Sequence, residues 1–168
     1  NPTHFPTAQP GVPYSPRNYG GRYRGPLRAR AALAGSENVP AVALASDVGV
    51  PALMRFLTRA GFTTFTRTPA YYGLGLTLGG AEVRLDELVA AYSAFARGGV
   101  LREPVAVIPD EGAIPPEGGS YKEAGLVSER TAFWITDILS DSAAREYAFG
   151  SGGRLVFPSP RTVTDGSS

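Results

Sequence analysis

The stretch EVRLDELVAAYSAFARGG, residues 82–99, contains the clearest helix in the sequence and indicates the kind of fold to expect. Apolar side chains recur through residues 82–97 at the spacing of one helix face. Gly98 and Gly99 follow directly, and glycine often ends a helix because it adopts the left-handed conformation without strain. We therefore predict a helix over residues 82–97. Its apolar face is formed by Val83, Leu85, Leu88, Val89, Tyr92 and Phe95.

Three shorter helical segments are predicted upstream of this helix. Pro26 suits a first helical position, and the helical region that follows it is interrupted at Gly35. Residues 39–48 (VPAVALASDV) are small and apolar, which indicates a buried helix. Pro51 opens the third helix, and Gly61 ends it.

The rest of the sequence predicts one more helix and little strand. Residues 62–80 are rich in threonine, glycine and aromatic residues, and we predict a loop with at most short extended pieces. Ser128 caps a last helix, in which Trp134 is expected in the core. Short strands are predicted at Val105–Ile108 and Arg154–Phe157. A freestanding α/β domain normally shows several strands, so this pattern predicts a helical lobe whose sheet lies elsewhere.

Composition narrows the functions that the chain can have. Its 168 residues are 43% hydrophobic and 18% charged with a net charge of +1, so nothing indicates nucleic acid or an anionic membrane as a partner. The absence of cysteine excludes disulfides, thiolate metal sites and a cysteine nucleophile. His4 is the single histidine, and we predict neither a metal nor a cofactor. A solvated face is the favoured interpretation of a basic cluster formed by Arg17, Arg22, Arg24, Arg28 and Arg30.

No run in the sequence approaches the about 18–20 apolar residues of a membrane span. Residues 1–10 are polar and rich in proline, without the basic start of a signal peptide. If the protein is exported or anchored, we therefore expect the signal to lie outside these 168 residues.

The triplet Ser36-Glu37-Asn38 lies in ALAGSENVPAV, residues 32–42. Taken alone, a serine or asparagine between a glycine and an apolar run is most simply a helix cap. The same side chains are also suited to a polar active site, so both interpretations stay open at this point.

Five segments follow one another along the chain in a characteristic order. The first three are YSPRNY (14–19), YRGP (23–26) and SENVPAV (36–42). They are followed by TPAYYGLGLTLGGAEV (68–83) and LDELVAAYSAFARGG (85–99). Together they resemble the crosslinking domain of class A penicillin-binding proteins, the bifunctional peptidoglycan synthases. Within this family, LGGAEV (78–83) and ILSDSAAR (138–145) resemble the 1C type.

The resemblance implies an α/β (α+β) fold of the serine beta-lactamase and D,D-peptidase type, in which a helical lobe flanks an antiparallel sheet. The whole chain, 1–168, would be a partial transpeptidase domain made mostly of the helical lobe. Residues 1–26 would be an extended lead-in rich in proline and tyrosine, 27–150 the helical lobe, and 151–168 the start of the active-site strand region. Such a piece is expected to be only marginally stable in isolation.

In this family three sequence elements surround a serine nucleophile: S-x-x-K, S-x-N and K-T-G. By the resemblance, Ser36 and Asn38 are the catalytic residues of the second element, and Glu37 takes the variable middle position without a role. The third element falls at Thr164, Asp165 and Gly166, where only the glycine is kept. Replacing its lysine by threonine beside an aspartate removes a positive charge that would bind a substrate carboxylate.

The nucleophile itself is not found in these residues. Lys122 is the one lysine, and Gly119 stands three positions before it, so no S-x-x-K is present. We expect the S-x-x-K element to lie before Asn1 and the chain to be inactive alone.

The resemblance implies a D,D-transpeptidase that crosslinks the cell wall through an acyl-serine intermediate. Its partners would be peptidoglycan stem peptides and beta-lactams, at the periplasmic face of the inner membrane and with the anchor outside this chain. The alternative is a degenerate, non-catalytic module that binds peptidoglycan or a partner protein.

Overall fold

The computed structural model describes residues 4–7, 13–104 and 123–151, and they form a helix-rich structure with one small sheet. The predicted strands at 105–108 and 154–157 lie outside the described residues. In chain order the helices are α1 (Ala29–Ala34), α2 (Asn38–Val48), α3 (Val50–Arg59), α4 (Pro69–Tyr72), a 3₁₀ helix (Gly73–Leu78), α5 (Leu85–Ala96), α6 (Glu129–Ser140) and α7 (Ser142–Phe149).

The predicted helices along the first half of the chain are confirmed, with shifted ends. The helix expected from residue 82 is α5 and begins at Leu85, because the preceding residue, Arg84, is extended. The helix expected from Pro26 begins only at Ala29, since Gly25 adopts a positive φ of 70° and Arg28 is extended. Helices α2 and α3 meet at Gly49, whose φ of 85° is a conformation that glycine tolerates.

The prediction of a loop over residues 62–80 is wrong for its second half. Pro69 stands at the first position of α4, where its fixed φ is already helical. The 3₁₀ helix that follows packs against α2 and buries Leu76. The backbone then closes on itself, because the Gly80 N–H donates to the Gly75 carbonyl at 2.9 Å and leaves no room for a Cβ.

The small sheet was not predicted. Strand β1 (Val100–Arg102) follows the glycine pair after α5 and pairs antiparallel with β2 (Glu123–Gly125). The Gly99 carbonyl accepts from the backbone N–H of Leu126 at 2.9 Å. The carbonyl of Val127 lies so close to Gly99 that a side chain there would overlap it.

The predicted cap of α6 is confirmed, and the prediction that α6 is the last helix is wrong. The Ser128 hydroxyl accepts from the Thr131 N–H at 3.2 Å. One residue after α6, Asp141 caps α7 by accepting from the Ala144 N–H at 2.9 Å.

The main core cluster lies between α3, α5 and the strand pair. Its buried members are mostly small: Ala60, Phe62, Ala91, Ala94 and Leu126. Trp134 was expected in the core, but its side chain is 58% exposed. The reason is helical geometry: α6 buries Ala132, and a residue two positions later is turned by about 200° around the helix axis.

The apolar face predicted on α5 is mostly exposed. Leu88 and Phe95 are half-buried, whereas Leu85, Val89 and Tyr92 are exposed. The buried residues of α5 are Ala91 and Ala94, which the predicted face did not include. Within the described part of the chain, no single helix is long and apolar enough for a membrane span; α2 and α3 reach that length and composition only as a pair bent by 95°.

Candidate functional site

Ser36 lies between α1 and α2 in a backbone conformation that serine rarely adopts. Its φ is 54°, and among the described residues it is the one non-glycine residue with positive φ. Its N–H donates to the Leu33 carbonyl at 3.1 Å, and the next N–H, that of Glu37, donates to the Ala32 carbonyl at 3.0 Å. The residue is exposed. Strained backbone of this kind is concentrated at functional sites, so the geometry favours a functional residue.

The helix-cap interpretation of the triplet is not supported. The N-cap residue of α2 is Glu37, and it makes no capping hydrogen bond with its side chain. Asn38 is the first residue of α2, and its Nδ2 donates to the Arg17 carbonyl at 2.8 Å. The bond ties Asn38 to the lead-in segment and leaves its Oδ1 as an acceptor.

The N-terminus of α2 is instead capped by Asn18, a residue that the sequence reasoning missed. The buried Asn18 side chain accepts from the Val39 N–H at 3.0 Å and donates to the Arg22 carbonyl at 3.0 Å. Asn18 thereby holds the lead-in against the triplet. The signal that could have identified it is its place in the YSPRNY segment on which the resemblance rests.

Glu37 was given no role from the sequence, and the structure shows that it has one in packing. Its side chain is buried, and its Oε1 accepts from Nε of Arg24 at 3.0 Å. The Arg24 guanidinium in turn lies over the ring of Tyr147 on α7, 4.5 Å from the ring centroid. A buried carboxylate needs such a partner, because an unpaired charge away from water is very costly.

The triplet forms one wall of a cavity of about 320 Å³. Asn18, Tyr19, Arg22 and Arg24 of the lead-in form another wall, and Ala148 and Phe149 at the end of α7 complete it. Two arginines and one glutamate leave the lining with a positive balance. A cavity with an exposed serine, an asparagine amide and this charge can hold a polar or anionic ligand.

The basic cluster is more than a solvated face. Arg24 pairs with Glu37, and Arg30 of α1 pairs with Asp137 of α6 and, at 3.0 Å, with Asp141. Thr164, Asp165 and Gly166 lie outside the described residues, and their role stays a prediction. Over residues 4–7, 13–104 and 123–151 there is no group of three or more potential metal-ligand side chains.

Comparisons with known proteins agree with the resemblance drawn from the sequence. Penicillin-binding protein 1C of Escherichia coli is 32% identical over 130 residues, which cover 77% of this chain and 16% of that protein. Penicillin-binding protein 1F of Bacillus subtilis is 30% identical over 133 residues, or 75% of this chain and 18% of that protein. No family profile matches the chain.

The fold agrees with a solved structure of the same kind of protein. The crystal structure of penicillin-binding protein 1A from Haemophilus influenzae superposes with a TM-score of 0.63 at 25% identity, covering 82% of this chain and 25% of that one. The chain therefore has a partial transpeptidase-like fold. The chain belongs to the class A penicillin-binding proteins, and the match to the curated relatives covers about 75% of its length. It spans less than a fifth of the curated relatives described above.

Proposed function

We propose that this chain is part of a peptidoglycan D,D-transpeptidase and consists mostly of its helical lobe, with Ser36 and Asn38 as the S-x-N element. The observation that carries the proposal is Ser36 itself, exposed on a cavity wall at a φ of 54° beside an asparagine fixed by a 2.8 Å hydrogen bond. In this proposal the nucleophilic serine and its lysine belong to an S-x-x-K element upstream of residue 1.

The proposed chemistry is acyl transfer through a serine ester. The nucleophilic hydroxyl adds to the carbonyl of a stem-peptide amide, loses its proton, and forms an ester while the C-terminal residue leaves as an amine. The amine of a second stem peptide then displaces the serine and completes the crosslink. The Ser36 hydroxyl would pass a proton between the nucleophile and the leaving amine, and Asn38 Oδ1 would accept from a substrate N–H.

The relation to the penicillin-binding proteins supports a place on the extracytoplasmic side of the membrane. Beta-lactams would acylate the same serine as the stem peptide does, since both present a carbonyl to it. The 168 residues alone should form no covalent penicillin adduct, because they hold no S-x-x-K.

The test is acylation of the full-length gene product that contains these residues by a fluorescent penicillin. We expect labelling of the wild type and an acylation rate about 10²–10⁴-fold lower for Ser36→Ala, the usual contribution of a proton-transfer group. Ser46→Ala in α2 is the matched control and should leave the rate unchanged. A wild type that takes no label, or a Ser36→Ala variant that reacts at full rate, would contradict the proposal.

One observation favours the non-catalytic alternative, a module that binds peptidoglycan without turnover. The segment Thr164-Asp165-Gly166 lacks the lysine of K-T-G. This alternative predicts that the full-length gene product binds isolated peptidoglycan but takes no penicillin label.

A further inference from the structure

We propose that Tyr147 of α7, acting through Gly35, Glu37 and Arg24, is a positioning residue that holds Ser36 in its left-handed conformation. The inference rests on the proposed function of Ser36. Tyr147 belongs to a helix that the sequence did not predict, and it does not touch the substrate in this scheme. It acts on the backbone on both sides of the serine.

The first contact is with the end of α1. The Tyr147 hydroxyl donates to the Ala31 carbonyl at 2.8 Å, the same carbonyl that accepts from the Gly35 N–H at 2.9 Å. The hydroxyl occupies the space directly beside Gly35, where an added Cβ would overlap it. The residue before Ser36 is therefore fixed between its own helix and α7.

The second contact acts on the residue after Ser36. The Arg24 guanidinium joins the Tyr147 ring, 4.5 Å away, to the buried carboxylate of Glu37, 3.0 Å away. A cation between an aromatic face and a carboxylate is attracted to both. Glu37 is thus held by its side chain as well as by its backbone hydrogen bond with Ala32.

The two contacts together explain why Ser36 keeps a costly conformation. A non-glycine residue at positive φ is strained and persists only when its surroundings over-determine it. Gly35 and Glu37, the two neighbours of Ser36, are both held by the Tyr147 side chain or its arginine partner. Burial, and after it the negative charge of Glu37, raises the pKa of Tyr147, so the hydroxyl keeps its proton and remains a donor.

The first test is hydrogen exchange by mass spectrometry on the full-length gene product. Tyr147→Phe keeps the ring under Arg24 and removes only the hydroxyl. We expect exchange in peptides covering residues 32–38 to become about two- to tenfold faster, as for the loss of one hydrogen bond, with no change in α5. Tyr92→Phe, an exposed tyrosine of α5, is the matched control. Unchanged exchange around Ser36, or equal acceleration everywhere, would overturn the inference.

The second test separates positioning from general destabilisation. We expect Tyr147→Phe to lower the rate of acylation by fluorescent penicillin while the fraction of protein finally labelled stays at the wild-type value. A merely structural role would instead lower that fraction and leave the rate of the folded molecules unchanged. If the wild type reacts and Tyr147→Phe reacts equally fast, the inference is wrong and the proposed function stands. If the wild type does not react, the proposed function fails, and the exchange measurement alone decides whether Tyr147 holds Ser36.

Discussion

At the scale of single residues, the site requires a glycine at position 35 as much as it requires the side chains that line the cavity. Gly35 has an ordinary negative φ of −85°, so its backbone conformation does not require glycine. What requires glycine is the Tyr147 hydroxyl, which fills the position where a Cβ would stand. The steric constraint on Gly35 therefore comes from Tyr147, a residue 112 positions further along the chain.

We predict that Gly35→Ala lowers the free energy of unfolding by about 1–3 kcal/mol, the usual cost of overpacking. Either the tyrosine or the end of α1 must move to make room. Urea denaturation followed by circular dichroism measures the change. Gly20→Ala is the control, since a Cβ there meets nothing within 4 Å and the cost should stay small. Equal unfolding midpoints for the two variants would contradict the overlap.

Sequence reasoning predicted some residues of the candidate site and missed others for a physical reason. Ser36 and Asn38 were predicted as a pair by resemblance, and the structure places both on one cavity. Asn18, Glu37 and Tyr147 were given no role because their partners are distant in sequence. An isolated glutamate gives no sign of whether it will be buried against an arginine 13 residues away.

At the scale of elements, the sequence predicted a helix end well when the capping side chain and the backbone N–H that it binds are close along the chain. Ser128 was predicted as a cap because a serine hydroxyl at this position can accept from the backbone N–H three residues later. The hydrogen bond from the Thr131 N–H confirms the prediction. The 3₁₀ helix and β1 were missed because glycine-rich stretches carry no period of their own. Helix α7 was missed for a related reason: Asp141 both follows α6 and caps α7, so the two helices form one continuous run of polar and apolar residues.

The double role of Asp141 predicts a pH dependence for α7. The Ala144 N–H, and beyond it Arg30, hold the pKa of the Asp141 carboxyl below its ordinary value of 3.8, although partial burial opposes them. A lowered folded-state pKa means that the stabilisation is present above the unfolded value and lost as the pH falls through the folded one.

We therefore expect the melting temperature of the wild type to fall more steeply below about pH 4 than that of Asp141→Asn. Thermal unfolding followed by circular dichroism between pH 2 and pH 6 measures the difference. Asp47→Asn in α2 changes the charge by the same amount and should retain the wild-type slope. If Asp141→Asn and the wild type lose stability in parallel, the carboxylate does not contribute as described.

At the scale of the whole molecule, the sequence predicted mostly helix with little strand, and residues 4–7, 13–104 and 123–151 confirm it. The core was harder to predict, because the buried positions are largely alanine while several large apolar side chains remain exposed. Hydrophobic periodicity shows which residues share a helix face. It does not show whether another element packs on that face. Phe133 and Trp134, for example, are 66% and 58% exposed on the side of α6 away from the buried Ala132.

Trp134 makes this exposure measurable, because it is the single tryptophan. In the 168-residue chain we expect emission typical of a water-exposed indole and efficient quenching by acrylamide. If the full-length gene product carries the proposed sheet against α6, the same indole should be protected there; the comparison requires replacing any other tryptophans. Strong quenching of Trp134 in both proteins would show that nothing packs on this face.

The ties between α1 and the end of the described chain also have a consequence for the order of folding. Helix α1 has six residues, well short of the about 12–15 that an isolated helix needs. Its stabilising partners, Asp137, Asp141 and Tyr147, are 107 to 116 positions away along the chain. Closing so long a loop is slow, so α1 should form after the folding transition state. Disturbing these contacts should then speed unfolding while leaving the folding rate almost unchanged.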